Sequence, residues 1–485
     1  MTVVTRFAPS PSGYLHIGGA RTALFNYLFA RRHNGRFLLR IEDSDKNRSG
    51  QSEIEAIIDG LNWLGMDYDG DVTYQSRNKD RHLNIVDILL KKGLAYYCFL
   101  DKNHLEKERD IARKSKRNFV LRSPWRDKSL EISMRYMEDN NIKPVVRLKT
   151  PLDKKIIIDD LVQGKVVYDT ENIEDFIILR DDKTPTFMLA NSVDDNDQGV
   201  NYIIRGDDHL NNWAKQILIY QMMEWDLPRV AHIPLIHSSD GSKMSKRHGS
   251  VNIMDYKKQG YLNKAIFNYL LRLGWSFRDE EIISRERAID LFSINNIGKS
   301  PAKIDFDKMK NINSIYLRDA SEDEIFTMVC ELFPRYKNIA DKDIDNIKKS
   351  IIEIKPRAVL LNDLPEMFDM YISDSKITID SHFINIIKSD NQDFIEKYNI
   401  SIKDLIFKVS SSVDDISISN FNKDEIQEAI KIISKEYGIK IGLVMKYVRF
   451  LICGVDRSPS VFHIISIIGK EPSINRLAII SDILQ

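Results

Sequence analysis

With 485 residues, 43% of them hydrophobic, the chain is too long for one core and carries enough apolar material to fold as roughly two to four domains. Its 71 basic residues balance 71 acidic ones, which excludes a global field drawing in nucleic acid or membrane and leaves such contacts to local patches. Three cysteines far apart in sequence (Cys98, Cys330, Cys453), no apolar run of membrane-spanning length and no charged-then-apolar leader in MTVVTRFAP exclude a disulfide framework and predict a soluble, cytoplasmic protein.

TVVTRFA reads as a buried strand of β-branched and aromatic residues, and after a Pro/Ser/Gly break Ala20, Ala23, Leu24, Tyr27 and Leu28 recur at helical spacing. A strand therefore ends in a tight loop that opens onto a helix N-terminus. Such a terminus offers unpaired N–H groups and a positive dipole end, and glycine lets a phosphate approach the backbone. Gly13, Gly18 and Gly19 fit neither G-x-x-x-x-G-K-[ST] nor G-x-G-x-x-G, so neither familiar phosphate loop is present here. Strand–loop–helix junctions are also common without any ligand, and His16 needs a further explanation.

GRFLLRIEDSD predicts a second strand from about Arg36 to Glu42, followed by a helix carrying Ile54, Ile57, Ile58, Leu61 and Leu64. This alternation of strand and helix argues for a parallel, doubly wound α/β sheet. From about Ala95 the pattern degrades. Residues 109–128 hold eight basic and two acidic residues, and PVVRLK and KVVYD follow without βα alternation, as in an inserted domain. VNYIIRGDDHL restores the pattern, leading into a helix with Trp213, Ile217 and Leu218, and HIPLIHSSDGSKMSKRHGS then runs from strand to a basic loop. Beyond about residue 320 amphipathic helices dominate: Ser321 and Glu324 form a capping-box pattern ahead of Ile325, Met328, Val329 and Leu332, and Ile344, Ile347, Ile351 and Ile354 form a later stripe.

On its own, GSKMSKRHG in this lysine-rich chain reads as a solvated basic turn before it reads as a site. Together with SGYLHIGG, more than two hundred residues earlier on the same kind of sheet, it resembles the paired signatures of class I aminoacyl-tRNA synthetases, with Gly19 where the first signature usually ends in histidine. TRFAPSPSG, LRIEDSD, PTFMLANSVDD, IRGDDHL and SKRHGS, in this order, are similar to bacterial glutamyl-tRNA synthetases, and the likeness runs from residue 2 to the C-terminus.

The resemblance implies a Rossmann-like doubly wound parallel-sheet catalytic domain in two halves (1–94 and 191–320), an inserted α+β acceptor-stem-binding domain (95–190) and an all-helical anticodon-binding region (321–485). It implies ATP-dependent ligation of L-glutamate to tRNA-Glu through a glutamyl-adenylate, with Mg²⁺ carried by ATP. His16, Lys243 and Lys246 are then the catalytic residues. Gly13, Gly18, Gly19, Asp208, Ile236, Met244 and Ser245 join them around ATP. Arg6, Ala8, Ser10, Glu42, Phe187, Asn191 and Arg205 surround glutamate, and the chemistry agrees: a carboxylate entering a partly dry pocket needs a cation, and an arginine fits it bidentately. Each charged residue of this set could equally be an ordinary ion pair at a sheet edge. Phe187 stands where the family usually has a tyrosine, and Asp208 where it usually has a glutamate.

Arg113, Lys114, Lys116 and Arg117 of the basic segment are the expected contacts to tRNA phosphates, and Arg357 of KPRAVL the expected contact to the anticodon. No metal site is expected: Cys98 is the only cysteine of the inserted segment, so a zinc quartet is implausible there. A monomer is expected. Charging of tRNA-Gln instead of, or as well as, tRNA-Glu stays open, as does a non-catalytic tRNA-binding paralogue, although the latter would be expected to lose His16 or Lys246.

Overall fold

Val4–Phe7 form β1, every residue of which is buried, and the helical spacing that follows becomes α1 (Ile17–Arg32). The computed structural model describes residues 2–11, 13–44, 50–115, 119–238, 240–242, 252–373 and 377–484. After α1 come β2 (Arg36–Ile41), α2 (Gln51–Trp63), β3 (Thr73–Tyr74) and α3 (Lys79–Lys91). β1 pairs in parallel with β2, Phe7 opposite Leu39, and β2 with β3. The second strand ends at Ile41, one residue short of the expected Glu42, because the Glu42 N–H turns to the Pro9 carbonyl at 3.0 Å and leaves the ladder.

The next segment is antiparallel, as the loss of βα alternation requires. β4 (Ala95–Cys98), α4 (Lys102–Lys114), α5 (Leu130–Asn140) and β5 (Val145–Leu148) lead to a hairpin of β6 (Lys155–Asp160) and β7 (Gly164–Asp169), and then to β8 (Ile177–Leu179), with sheet order β4-β5-β8. One hydrophobic cluster joins Val4 of β1 and Leu38 of β2 to Val146, Ile156 and Ile178 of this segment and to Val230 further on, so the antiparallel part shares its core with the parallel layer.

The parallel pattern resumes with α6 (Phe187–Asp197), β9 (Tyr202–Gly206), α7 (Leu210–Met223) and β10 (Arg229–Ile233), where β9 and β10 pair in parallel with Arg205 opposite His232. Asn201 attaches β9 to β1: its side-chain oxygen accepts from Val4 N–H at 2.8 Å and its own N–H donates to Val4 O at 3.2 Å. The strands therefore run β3-β2-β1 to one side of this junction and β9-β10 to the other. A short parallel pair, β11 (Ile236–His237) and β12 (Ala302–Lys303), follows, with α8 (Ile253–Lys258), α9 (Asn263–Arg272) and α10 (Arg285–Leu291) between them in sequence.

The chain divides into two units, residues 1–257 with 263–306, and residues 258–262 with 307–485. In the second unit the described residues form helices and turns. α11 (Phe306–Asp319) leads into α12 (Glu322–Leu332), which opens with the expected capping box: Ser321 Oγ accepts from Glu324 N–H, and Glu324 accepts from Ser321 N–H at 3.0 Å. α13 (Asp341–Ile354) buries Ile347, Ile351 and Ile354.

Candidate functional site

A cavity of about 380 Å³ opens at the carboxyl ends of β1, β2, β9 and β10. It sits where the strand order diverges between β1 and β9, the place at which a doubly wound sheet leaves a crevice. Arg6, Phe7 and Ala8 leave β1 into it, Glu42 leaves β2, Arg205 and Gly206 end β9, and Leu235 and Ile236 follow β10. Ser10, Phe187 and Asn191 complete the set expected around glutamate, so all seven of those residues line one cavity. His16, Gly18, Gly19 and Asp208 line it too, whereas Gly13 does not.

One end of the cavity is built from buried, mutually paired charges. Asp195 of α6 accepts from Arg6 through both oxygens, at 3.0 and 3.3 Å, and from Arg40 Nη1 at 2.7 Å. Burial opposes its charge, yet the Arg40 and Arg6 guanidiniums hold the Asp195 carboxyl below the usual range. Arg40 also donates to Asn191 Oδ1 at 3.0 Å, and Asn191 in turn donates to Glu42 Oε1. Glu42 is thus anchored on one oxygen. Burial pushes its pKa up, against the opposing pull of Arg40 and Arg6.

Arg205 differs from Arg6. It is 6% exposed; its Nε donates to His232 Nε2 at 3.2 Å and its Nη2 to Gln216 Oε1 at 2.8 Å, and the Trp213 ring lies 5.6 Å from the guanidinium carbon. Nη1 is buried and has no hydrogen-bond partner among the described residues. Burial and the nearby Arg6 charge depress the Arg205 pKa, the signature of a cation short of an anion. Buried polar groups are satisfied in folded proteins unless a ligand or water meets them. Beside it the Phe187 and His209 rings pack with centroids 5.4 Å apart, and burial together with Arg205 pushes His209 down to about 4, so that its imidazole is neutral.

The other end is built from backbone and a helix start. His16 caps α1, its Nδ1 accepting from Gly19 N–H at 3.2 Å, which leaves the ring proton on Nε2 as a donor. Burial lowers its pKa and keeps it neutral. A Cβ on Gly18 would stand 3.0 Å from the imidazole, so glycine there leaves room for the ring. At the end of β9, Gly206 leaves space that the Asp208 carboxylate fills: a Cβ there would meet Asp208 Oδ1 at 2.5 Å and displace it. Lys243, Met244, Ser245 and Lys246 lie outside the described residues. Ile236 lines the cavity, Asn252 bridges to His16, and Ile253 N–H donates to Leu15 O at 2.8 Å.

A family model of class I tRNA synthetases (E and Q), catalytic domain, matches residues 2–311, and one of an anticodon binding domain matches residues 324–480. The glutamate–tRNA ligase 2 of Rickettsia akari is 46% identical over 475 residues, 98% of this chain and 99% of that one. The chain belongs to the glutamate–tRNA ligase family of class I synthetases. Another family member, glutamate–tRNA ligase 1 of Orientia tsutsugamushi, is 45% identical over 478 residues, 98% of this chain and 97% of that one. A crystal structure of a glutamate tRNA ligase from Elizabethkingia meningosepticum in complex with its amino acid matches with a TM-score of 0.83 at 28% identity, covering 98% of both chains.

Of the residues expected at tRNA, Arg113, Lys114 and Arg357 are not among those lining this cavity. Arg113 and Lys114 are exposed in the last turn of α4, Arg113 within 3.4 Å of Asp110, while Lys116 and Arg117 lie outside the described residues. Arg357 is exposed in a short 3-10 turn, Lys355–Arg357, and forms no ion pair among the described residues. Sequence reasoning missed Arg40, Asp195, Gln216 and His232. Arg40 and Asp195 lie inside LRIEDSD and PTFMLANSVDD, yet nothing in those strings says which charge meets which. Arg21 was missed too: it lines the cavity from α1 while donating to the Leu273 carbonyl at 3.2 Å and to the Pro234 carbonyl.

Proposed function

We propose that this ligase joins L-glutamate to tRNA-Glu in two steps. An oxygen of the α-carboxylate attacks the α-phosphorus of ATP as the bond to the β-phosphate breaks, giving glutamyl-adenylate and diphosphate. A terminal ribose hydroxyl of the tRNA then attacks the acyl carbon, and AMP leaves. The observation that carries the reading is Arg205: a buried guanidinium whose Nη1 has no hydrogen-bond partner among the described residues, in the lining of a cavity that also holds the Glu42 carboxylate. An incoming side-chain carboxylate supplies the missing acceptor, and Glu42, pinned by Asn191, supplies the counter-charge for the substrate ammonium.

In this reading Arg6 lends positive potential to the same carboxylate while staying tied to Asp195. Ala8, Ser10 and Phe187 shape the pocket, Phe187 without the hydroxyl that a tyrosine would offer the substrate. His16 Nε2 donates to the reacting phosphate, with Gly18, Gly19, Asp208 and Ile236 around the nucleotide and Gly13 in the loop that leads to it. Lys243 and Lys246, with Met244 and Ser245 between them, neutralise the departing diphosphate, work that preorganised cations do in phosphoryl chemistry. Mg²⁺ arrives with ATP as part of the substrate. Arg113, Lys114, Lys116 and Arg117 hold tRNA phosphates, and Arg357 reads the anticodon. We place the protein in the cytoplasm as a monomer, without resident zinc.

Aminoacylation of separately purified tRNA-Glu and tRNA-Gln with labelled glutamate tests the reading. Glutamate charged onto tRNA-Glu in an ATP-dependent manner is the expected result; no charging of either tRNA overturns it, and charging of tRNA-Gln alone moves the protein to the neighbouring specificity.

A further inference from the structure

β6 alternates strictly between exposed and buried positions, and its inward set is Ile156, Ile158 and Asp160. An aspartate in the third core position of such a strand is costly unless its charge is met. It is met on every side. Asp160 Oδ1 accepts backbone N–H groups from Val162 at 2.9 Å and Gln163 at 2.8 Å, the His232 N–H is shared between Oδ1 at 3.2 Å and Oδ2 at 3.1 Å, and Oδ2 lies 2.6 Å from His232 Nδ1. The side chains of Asp160 and His232 are both fully buried.

The other face of the imidazole determines its protonation. His232 stands opposite Arg205 in the β9–β10 register, and its Nε2 lies 3.2 Å from Arg205 Nε. An arginine N–H can only donate, so Nε2 must carry a lone pair and the single ring proton must sit on Nδ1, pointing at Asp160. The imidazole is therefore neutral despite its carboxylate neighbour, in keeping with the way burial lowers its pKa. With Nε held by His232 and Nη2 by Gln216, the planar guanidinium has no freedom to turn, and buried Nη1 is the nitrogen left without a hydrogen-bond partner among the described residues.

We propose that Asp160 and His232 are positioning residues for glutamate recognition: Asp160 sets the imidazole tautomer, and His232 holds Arg205 so that Nη1 faces the substrate's side-chain carboxylate. The proposal rests on the functional reading above. It also ties the antiparallel segment to the amino-acid pocket, because the residue that sets the tautomer belongs to the β6–β7 hairpin, 72 positions from the histidine it governs.

Three variants separate this from a dyad that only pins the hairpin to β10. Asp160→Asn keeps shape, but the Val162 and Gln163 N–H groups at Oδ1 will take the amide oxygen, leaving the NH₂ to face Nδ1. The ring proton must then move to Nε2, against Arg205. His232→Asn keeps a donor toward Asp160 and removes the acceptor for Arg205; His232→Gln sets an oxygen near the Nε2 position. Asp160→Asn and His232→Asn should raise the glutamate KM on the order of ten- to a hundredfold, the effect of losing a hydrogen bond to a charged group, with the ATP KM near wild type. His232→Gln should recover most of the loss.

Nitrogen-15 shifts of the wild-type imidazoles test the tautomer without any variant: His232 should have an unprotonated Nε2 and a protonated Nδ1, and the reverse tautomer or an imidazolium overturns the proposal. So does a wild-type glutamate KM in the folded Asp160→Asn and His232→Asn proteins, or parallel losses for glutamate and ATP that follow the melting temperature. A wild-type enzyme that charges no tRNA with glutamate instead overturns the functional reading itself.

Discussion

In the proposed reading, the two ends of the cavity bind negative charge by different physical means. At the amino-acid end the cations are buried side chains, fixed by partners: Arg6 and Arg40 share Asp195, and Arg205 is braced by His232 and Gln216 with one edge open. At the nucleotide end the donors are a helix start, glycine backbone and His16, and the lysines expected there belong to the loop between Ser242 and Asn252. In that reading a small carboxylate is selected by a prebuilt, desolvated charge, whereas a phosphate chain is met by a helix start and backbone donors. A buried unpaired cation is costly before substrate binds, and that cost becomes discrimination when it does.

Removing the open arginine should give the largest effect. Arg205→Ala is expected to lower kcat/KM for glutamate by about a thousandfold or more, as when one partner of a buried charge pair is removed, and to leave the ATP KM unchanged. Steady-state kinetics in both substrates checks this; equal losses for glutamate and ATP would erase the contrast between the two ends.

Lys246→Ala should act on the other end alone, cutting glutamyl-adenylate formation by about a hundredfold, the size of one lost preorganised donor, without moving the glutamate KM. tRNA-dependent ATP–diphosphate exchange reads the step directly. Arg6→Ala sharpens the difference between the arginines. Because Arg6 is tied to Asp195, its loss should lower stability by about 1–3 kcal/mol as well as weakening glutamate binding, by less than Arg205→Ala does. Thermal melting beside glutamate titration tests it, and an unchanged melting temperature would show that Asp195 does not need Arg6.

The smallest effect is expected in the second, helical unit. Arg357→Gln should change the ratio of kcat/KM for tRNA-Glu against tRNA-Gln by several-fold, since an arginine fork can favour one base over another by about 1–3 kcal/mol at most. Melting temperature and glutamate KM should not move; an unchanged ratio would return Arg357 to an ordinary exposed side chain.

Much of this was legible in the chain. The strand and helix of residues 4–32, the helical stripe at 344–354 and the Ser321 capping box follow from local periodicity and from a cap that closes over three residues. Strand-end residues such as Arg6, Glu42 and Arg205 could be marked as candidates because a doubly wound sheet collects its strand ends into one crevice. The likeness of the two signature loops named the family, which the matches over residues 2–311 and 324–480 then established.

The sequence by itself thus determined the elements, the fold class and which residues stand at strand ends, since these depend on periods of two and 3.6 residues and on short turns. Only the tertiary structure decided how the charges are divided. Arg6 finds Asp195 across 189 positions and His232 finds Asp160 across 72, whereas Arg205 is left with an open edge. Local patterning carries no record of such pairings. They are set by strand order and register, which bring β1 against α6, β9 against β10 and the β6 hairpin beneath them, and the energy of a buried charge depends on that arrangement and not on its neighbours in the chain.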